Sequence, residues 1–140
     1  MRISRALLDD VIAHARADAP NECCGMIASH DGEAVAVHRA RNALASPLRY
    51  DVHSKDLHRI IDQIEGDGLD LGVIYHSHTR SDPIPSQTDI NLADFGDPPQ
   101  PAYPGTLYMI VGLKDAESPD VRLWSIALGQ VEEVPLEVGP

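Results

Sequence analysis

The stretch Leu71–His78, with the sequence LGVIYHSH, decides the fold of this chain. Its first five residues form a continuous apolar run, which is typical of a strand buried on both faces. The strand ends in two histidines, His76 and His78. Because side chains alternate along an extended strand, the two imidazoles lie on one face with Cα atoms about 6.5 Å apart. The stretch therefore predicts a central strand that brings two metal-ligating groups to its carboxyl end.

Two amphipathic patterns predict helices on either side of this strand. Ser4 can cap a first helix that runs to about Asp18, and Ser54 can cap a second helix that closes near Gly66. A short helix is predicted from Ser86 onwards. Further strands are predicted over residues 23–29, 34–37, 107–113, 121–128 and 131–134. This order predicts a single domain over residues 1–140, an α/β (α+β) sandwich in which helices flank a mixed central β-sheet.

Charge and hydropathy exclude several function classes. The net charge is -11 and the pI is about 4.8, which argues against a nucleic-acid binder and against attraction to an anionic membrane surface. No run approaches 18 apolar residues, and the N-terminus lacks the apolar core of a signal peptide. The adjacent Cys23 and Cys24 are expected to be buried thiols in a reducing compartment. The expected location is the cytoplasm.

Seven residues separate His78 from the segment Ser86–Asp89, with the sequence SQTD. Asp89 can supply a third ligand and leave a fourth position open, which is the pattern of catalytic zinc. The same Ser-x-x-Asp spacing also resembles a capping box, in which Ser86 and Asp89 satisfy the first turn of a helix. The two interpretations are compatible, because a capped helix start is a rigid place from which to aim a carboxylate. The pattern indicates metal-assisted hydrolysis.

Other metal-dependent hydrolases fit less well. A metallo-β-lactamase-like site would need Asp and His where this chain has Arg80 and Ser81. An amidohydrolase barrel needs about 250 residues. A zinc deaminase needs a Cys-x-x-Cys ligand pair, and the only two cysteines here are adjacent.

The combination of the segment Asn21–Gly25 (NECCG), the His-Ser-His triplet and the Ser-x-x-Asp segment resembles the JAMM (MPN+) metalloprotease signature at every chemical position. The resemblance implies the JAMM α/β sandwich, which is related to cytidine deaminases. It implies that His76, His78 and Asp89 hold one Zn²⁺ per chain. It further implies that Glu22 is the general base and acid, and that Ser86 donates a hydrogen bond to the developing oxyanion.

The resemblance is strongest to short prokaryotic members of the family that act on ubiquitin-like sulfur-carrier proteins. It implies cleavage after a C-terminal Gly-Gly, with release of cysteine; the alternative is an isopeptidase that removes a ubiquitin-like modifier from lysines. A non-catalytic interaction scaffold is a remote alternative, because no ligand is missing. By order along the chain and analogy, Arg49, Tyr50, Thr79 and Arg80 are expected to contact the substrate.

Overall fold

The computed structural model describes residues 1–140, and ten strands and three helices account for most of the chain. None of the helices is long and apolar enough to span a lipid bilayer. The elements follow in the order β1 (Arg2–Ser4), α1 (Arg5–Asp18), β2 (Cys24–His30), β3 (Glu33–Ala40), α2 (Ser54–Gly66), β4 (Asp70–His78), α3 (Gln87–Leu92), β5 (Asp94–Phe95), β6 (Gln100–Pro101), β7 (Leu107–Gly112), β8 (Asp120–Ala127), β9 (Gln130–Val134) and β10 (Glu137–Gly139).

Eight of the strands form one mixed sheet in the order β10-β1-β3-β2-β4-β7-β8-β9. Strand β4, which carries the two histidines, lies in the interior of the sheet between an antiparallel neighbour, β2, and a parallel neighbour, β7. Its register pairs His76 with Cys24 on one side and with Ile110 on the other. The predicted central position of this strand is therefore confirmed.

The two faces of the sheet are covered by different helices. Helix α1 buries Leu8 and Val11 in a cluster that includes Tyr75. Helix α2 buries Ile60 and Ile64 in a second cluster. The strand residues of this second cluster alternate with those of the first, so they point to the opposite face of the sheet. Because strand residues alternate between faces, the sheet is the middle layer of a sandwich. The predicted fold class is confirmed.

The hairpin between β2 and β3 illustrates how local sequence sets this topology. Asp31 and Gly32 both have positive φ, 50° and 75°. These angles belong to the turn type whose twist matches paired antiparallel strands, and Asp-Gly is a preferred sequence for it. The strands flanking this turn run antiparallel from Cys24 to Ala40.

Two details of the prediction were wrong or incomplete. The cap of α2 is His53 and not Ser54: the His53 Nδ1 accepts a hydrogen bond from the Lys55 backbone N–H at 3.3 Å, and Ser54 is already the first helical residue. An imidazole nitrogen here replaces the expected hydroxyl. The terminal strands β1 and β10 were not predicted, because three residues are too short for a periodic pattern; they pair in parallel with each other.

Candidate active site

Three predicted ligand side chains converge at the carboxyl end of β4. His76 and His78 share the face that is covered by α2, while Ser77 between them points to the other face, where its hydroxyl accepts a hydrogen bond from the Cys23 N–H at 2.8 Å. The first turn of α3 brings in Asp89. The three side chains are buried, and their ligand atoms lie within 4.8 Å of one another.

The distances between these atoms fit a shared cation. The Nε2 atoms of His76 and His78 are 3.2 Å apart, and the Asp89 carboxylate oxygens lie 3.2 Å and 3.0 Å from them, respectively. Two atoms that bind one tetrahedral zinc ion at about 2.0–2.1 Å are about 3.4 Å apart. The side chains therefore need only small adjustments to bind one ion.

Hydrogen bonding sets the protonation of His78 and supports the same conclusion. Its Nδ1 lies 2.8 Å from the carbonyl of Asp82, and a carbonyl can only accept, so Nδ1 carries a hydrogen. In neutral His78 the Nε2 lone pair then faces the Asp89 carboxylate. Two acceptors that face each other repel unless a proton or a metal ion lies between them. A backbone carbonyl on the distal nitrogen is also a common support for a metal-binding histidine.

The pKa shifts in the cluster favour the ligand form of His76 and Asp89 but the protonated form of His78. Burial lowers the pKa of His76 and keeps its imidazole neutral. Burial opposes ionisation of Asp89, but hydrogen bonds from His76 and His78 hold its pKa well below the usual range. For His78 the burial effect is outweighed by Asp89 and the Asp82 carbonyl, and its pKa is raised. A metal ion would displace the proton that His78 otherwise retains.

The ring of Tyr50 stacks on the imidazole of His76. The two rings are stacked with centroids 4.3 Å apart and an interplanar angle of 19°, and Tyr50 is buried. The Nδ1 of His76 is buried without a hydrogen-bond partner, whereas the matching atom of His78 is bonded to Asp82. The His76 ring is therefore held by the Asp89 carboxylate at Nε2 and by stacking on Tyr50, with no hydrogen bond at Nδ1. This contact could not be read from the sequence, because Tyr50 lies 26 residues earlier in an irregular segment.

Ser86 and Asp89 form the capping box that the sequence allowed. The Ser86 Oγ accepts from the Asp89 N–H at 3.1 Å, and the Asp89 Oδ2 accepts from the Ser86 N–H at 2.9 Å. Asp89 Oδ2 also lies beside His78, so one carboxylate caps the helix and faces the cluster. Ser86 is exposed, and its hydroxyl hydrogen is not used by the cap.

Glu22 lies two residues before the start of β2 and is 5% exposed. Burial raises the pKa of its carboxyl group to about 7, with a lowering effect from His78 and a further raising effect from Asp89. These two influences show that Glu22 is within electrostatic reach of the cluster. A carboxyl group with a pKa near neutrality is suited to accept and release a proton at physiological pH.

Asn42 holds the segment beside Glu22 in place, and sequence reasoning missed it. Its side-chain amide donates to the carbonyls of Glu22 and Arg49 at 3.0 and 2.9 Å. Its carbonyl oxygen accepts from the N–H groups of Leu44 and Asp51, both at 3.0 Å. One side chain thus ties Glu22 to the segment that carries Tyr50. An Asn among turn-forming residues was the only signal available.

The remaining predicted residues lie at the rim. Thr79 directly follows His78, and its hydroxyl donates to the Pro20 carbonyl at 3.2 Å. Arg49 and Arg80 are exposed; Arg49 directly precedes the buried Tyr50, and Arg80 lies two residues after His78. The loop after Thr79 is anchored by Trp124, whose Nε1–H donates to the Pro83 carbonyl at 3.0 Å.

Position 25, at the end of the Asn21–Gly25 segment, has no room for a side chain. A Cβ at this position would overlap the Tyr75 ring, which lies across β2.

The Tyr75 hydroxyl is 2.6 Å from His14 Nδ1, and the other His14 nitrogen lies 3.3 Å from Asp18. Because a carboxylate only accepts, this arrangement assigns the ring hydrogen to the side facing Asp18. The network fastens α1 to the strand that carries the cluster.

Comparison with known proteins identifies the family. A family model described as prokaryotic homologs of the JAB domain matches residues 4–127. The chain is 32% identical over 134 residues to the CysO-cysteine peptidase of Mycobacterium tuberculosis, covering 94% of this chain and 86% of that protein. It is 35% identical over 123 residues to the desampylase of Haloferax volcanii, covering 82% of this chain and 78% of the relative.

A solved structure supports the fold assignment. The JAB1/MPN domain protein from Archaeoglobus fulgidus superimposes with a TM-score of 0.61 at 21% identity, covering 99% of this chain and 98% of the other. The family match spans both the Glu22 segment and the histidine cluster. The chain belongs to the prokaryotic JAB-domain branch of the JAMM (MPN+) family and is a hydrolase of the metallopeptidase class.

Proposed function

We propose that this protein is a zinc-dependent peptidase that cleaves after the C-terminal Gly-Gly of a ubiquitin-like sulfur-carrier protein and releases a single cysteine. The observation that carries the proposal is the convergence of His76, His78 and Asp89 next to the buried Glu22. Two imidazoles and one carboxylate are the donor set of many catalytic zinc sites. One ion per chain is expected.

His76, His78 and Asp89 would hold the ion. When bound, zinc supplies Lewis acidity, which allows water to act as a nucleophile at neutral pH. Glu22 accepts a proton from the attacking water and later delivers it to the departing amine. The burial that raises the pKa of Glu22 to about 7 suits both steps, since the group must change protonation state twice in each turnover.

Ser86 is the proposed oxyanion donor. The Ser86 Oγ already accepts a hydrogen bond from the Asp89 N–H, which restricts the directions in which the Ser86 hydroxyl can donate. A donor that is oriented before the reaction stabilises developing charge without reorganisation. Its exposed position at the helix start leaves that hydrogen accessible to a substrate.

Similarity to a CysO-cysteine peptidase favours a carrier with one cysteine after its tail. Similarity to a desampylase favours the second candidate, an isopeptidase that removes a ubiquitin-like modifier from lysines. We propose that residues 1–140 act as one catalytic domain, because strands from both ends of the chain pair in the same sheet. The free, buried Cys23 and Cys24 are compatible with the reducing cytoplasm, the proposed location.

Replacing both tail glycines of the carrier by valine is expected to abolish turnover. An extended glycine tail can approach the cluster closely and bind by main-chain hydrogen bonds, whereas branched side chains would clash. The measurement is mass spectrometry of products from Gly-Gly-ending host proteins that carry a C-terminal cysteine or a lysine conjugate. Similar rates on Gly-Gly and Val-Val tails would indicate a general peptidase.

Tyr50→Ala is expected to weaken zinc binding about 10- to 100-fold, the range seen when groups that orient metal ligands are removed. Tyr50→Phe keeps an aromatic ring that can stack on His76 in the same way and should bind zinc within about threefold of the unmodified protein. Competition titration with a chromophoric chelator measures both affinities. Equal affinities for the alanine and phenylalanine variants would remove the orienting role of the ring.

A further inference from the structure

Ser77 is a fully buried polar residue that the metal cluster does not use. It is 0% exposed and lies between His76 and His78, on the opposite face of β4 from their side chains. That face is covered by α1, and its neighbours there include the apolar side chains of Cys23 and Tyr75. A hydroxyl buried in such a layer requires a hydrogen-bond partner. The partner is the backbone N–H of Cys23, which donates to the Ser77 Oγ at 2.8 Å.

This hydrogen bond replaces a backbone bond of the ladder between β2 and β4. Cys24 pairs with His76, so the same register places Cys23 beside Ser77. The Ser77 N–H donates to the Cys23 carbonyl at 3.3 Å. In a regular antiparallel pair the return bond would run from the Cys23 N–H to the Ser77 carbonyl. Here that N–H donates to the side chain instead, so the serine hydroxyl sets how far the chain before β2 lies from β4.

Glu22 directly precedes this contact. Continuing the register of the two strands by one more residue places Glu22 beside His78, on the face that carries the cluster. The Glu22 N–H donates to the Ser46 carbonyl at 2.8 Å, and the Glu22 carbonyl accepts from the Asn42 amide at 3.0 Å. These two bonds tie Glu22 to the irregular segment before α2. The bonds to Ser77 instead tie it, through the next residue, to the strand that carries two of the proposed metal ligands.

We propose that Ser77 is a positioning residue for catalysis, which holds Glu22 at its working distance from the metal cluster through the Cys23 N–H. The assignment rests on the proposed function, in which Glu22 is the general base. Proton transfer depends steeply on geometry, and a misplacement of about 1 Å can lower a rate by about 10²-fold. Without the hydroxyl, the Cys23 N–H loses its acceptor, and the chain must shift to satisfy it.

The test measures hydrolysis of a Gly-Gly-ending ubiquitin-like protein of the host, extended by one cysteine. Ser77→Ala should lower kcat about 10- to 100-fold and leave KM within about threefold, because the base is displaced while the substrate contacts remain. Zinc content, measured by elemental analysis, should stay at about one per chain. Ser77→Thr keeps the hydroxyl and should retain kcat within about threefold.

Two further variants control for folding. Ser29→Ala removes another buried serine of the same sheet, near the far end of β2, and should leave kcat and KM unchanged. Ser77→Cys keeps the side-chain volume but offers only a weak acceptor, so its kcat should fall in the same direction as that of the alanine variant. Circular dichroism checks the fold of each variant, and the cysteine variant carries the test where the alanine variant does not fold.

A double variant separates positioning of the base from a general structural role. In the Glu22→Gln background the base is already absent, so Ser77→Ala should lower the remaining rate by less than about twofold. An equal loss in both backgrounds, or a fall in zinc content, would overturn the assignment, because Ser77 would then act through the neighbouring ligands. A normal kcat in Ser77→Ala, or an alanine-like kcat in a folded Ser77→Thr, would overturn it as well. Absence of hydrolysis by the unmodified zinc-loaded protein would instead reject the proposed function and, with it, this assignment.

Discussion

His76→Ala is expected to bind no zinc and to lose peptidase activity by about 10⁴-fold or more. A three-ligand site that loses one imidazole cannot hold the ion in place, and the Lewis acidity required for hydrolysis at neutral pH disappears with it. Asp89→Ala should behave in the same way. Elemental analysis of protein purified without chelator measures the zinc content, and turnover of a Gly-Gly-ending carrier substrate measures activity.

His58→Ala is the control for this experiment, because His58 is exposed on α2 and lies outside the cluster. It should retain about one zinc per chain and normal turnover. Asp89→Ala also breaks the capping box of α3, which costs about 1 kcal/mol of stability. Circular dichroism separates this folding effect from ligand loss. Normal activity in His76→Ala, or activity that a strong chelator does not change, would contradict the metallopeptidase mechanism.

The spacing of residues in the central strand was sufficient to predict much of the site. His76 and His78 share a face in any extended strand, so their convergence follows from geometry alone. To predict where Asp89 lies, the helix also had to be placed with its start at Ser86. The Ser-x-x-Asp spacing was compatible with Asp89 as a helix-capping residue or as a metal ligand. The structure shows that the same carboxylate caps α3 and faces the histidines. Helix cap and candidate metal ligand are therefore two roles of the same residue, Asp89.

Other parts of the site depend on tertiary contacts that no local pattern encodes. The stacking of Tyr50 on His76 and the bonds that Asn42 makes to the segment beside Glu22 join residues from irregular chain. The bond from Trp124 to Pro83 spans 41 residues. The pairing of β1 with β10 links the two ends of the chain. Periodicity predicts which face of an element is buried, but it does not predict which loop covers that face.

Glu22→Gln is expected to retain zinc and to lower kcat by about 10²- to 10⁴-fold. Glutamine has nearly the same shape, but it cannot accept a proton from water or deliver one to the departing amine. Since Glu22 is not a ligand in this proposal, zinc content should stay at about one per chain. Single-turnover kinetics and elemental analysis measure the two quantities. Turnover near that of the unmodified protein would show that another group is the base.

The same substitution should stabilise the zinc-free protein above neutral pH, which separates loss of catalysis from loss of folding. The pKa of Glu22 is about 7 in the folded chain, above its ordinary value. Below the unfolded-state pKa the group is protonated in both states, and its burial carries no charge penalty. As pH rises towards 7 the unfolded chain releases this proton first, so the folded state loses up to about 3 kcal/mol of relative stability.

Glutamine does not titrate, so the stability advantage of Glu22→Gln should be absent near pH 4 and reach its maximum at pH 8. Chemical unfolding in chelator at both pH values measures it; a variant less stable than the unmodified protein at pH 8 would mean that the ionised carboxylate has favourable contacts in the folded chain.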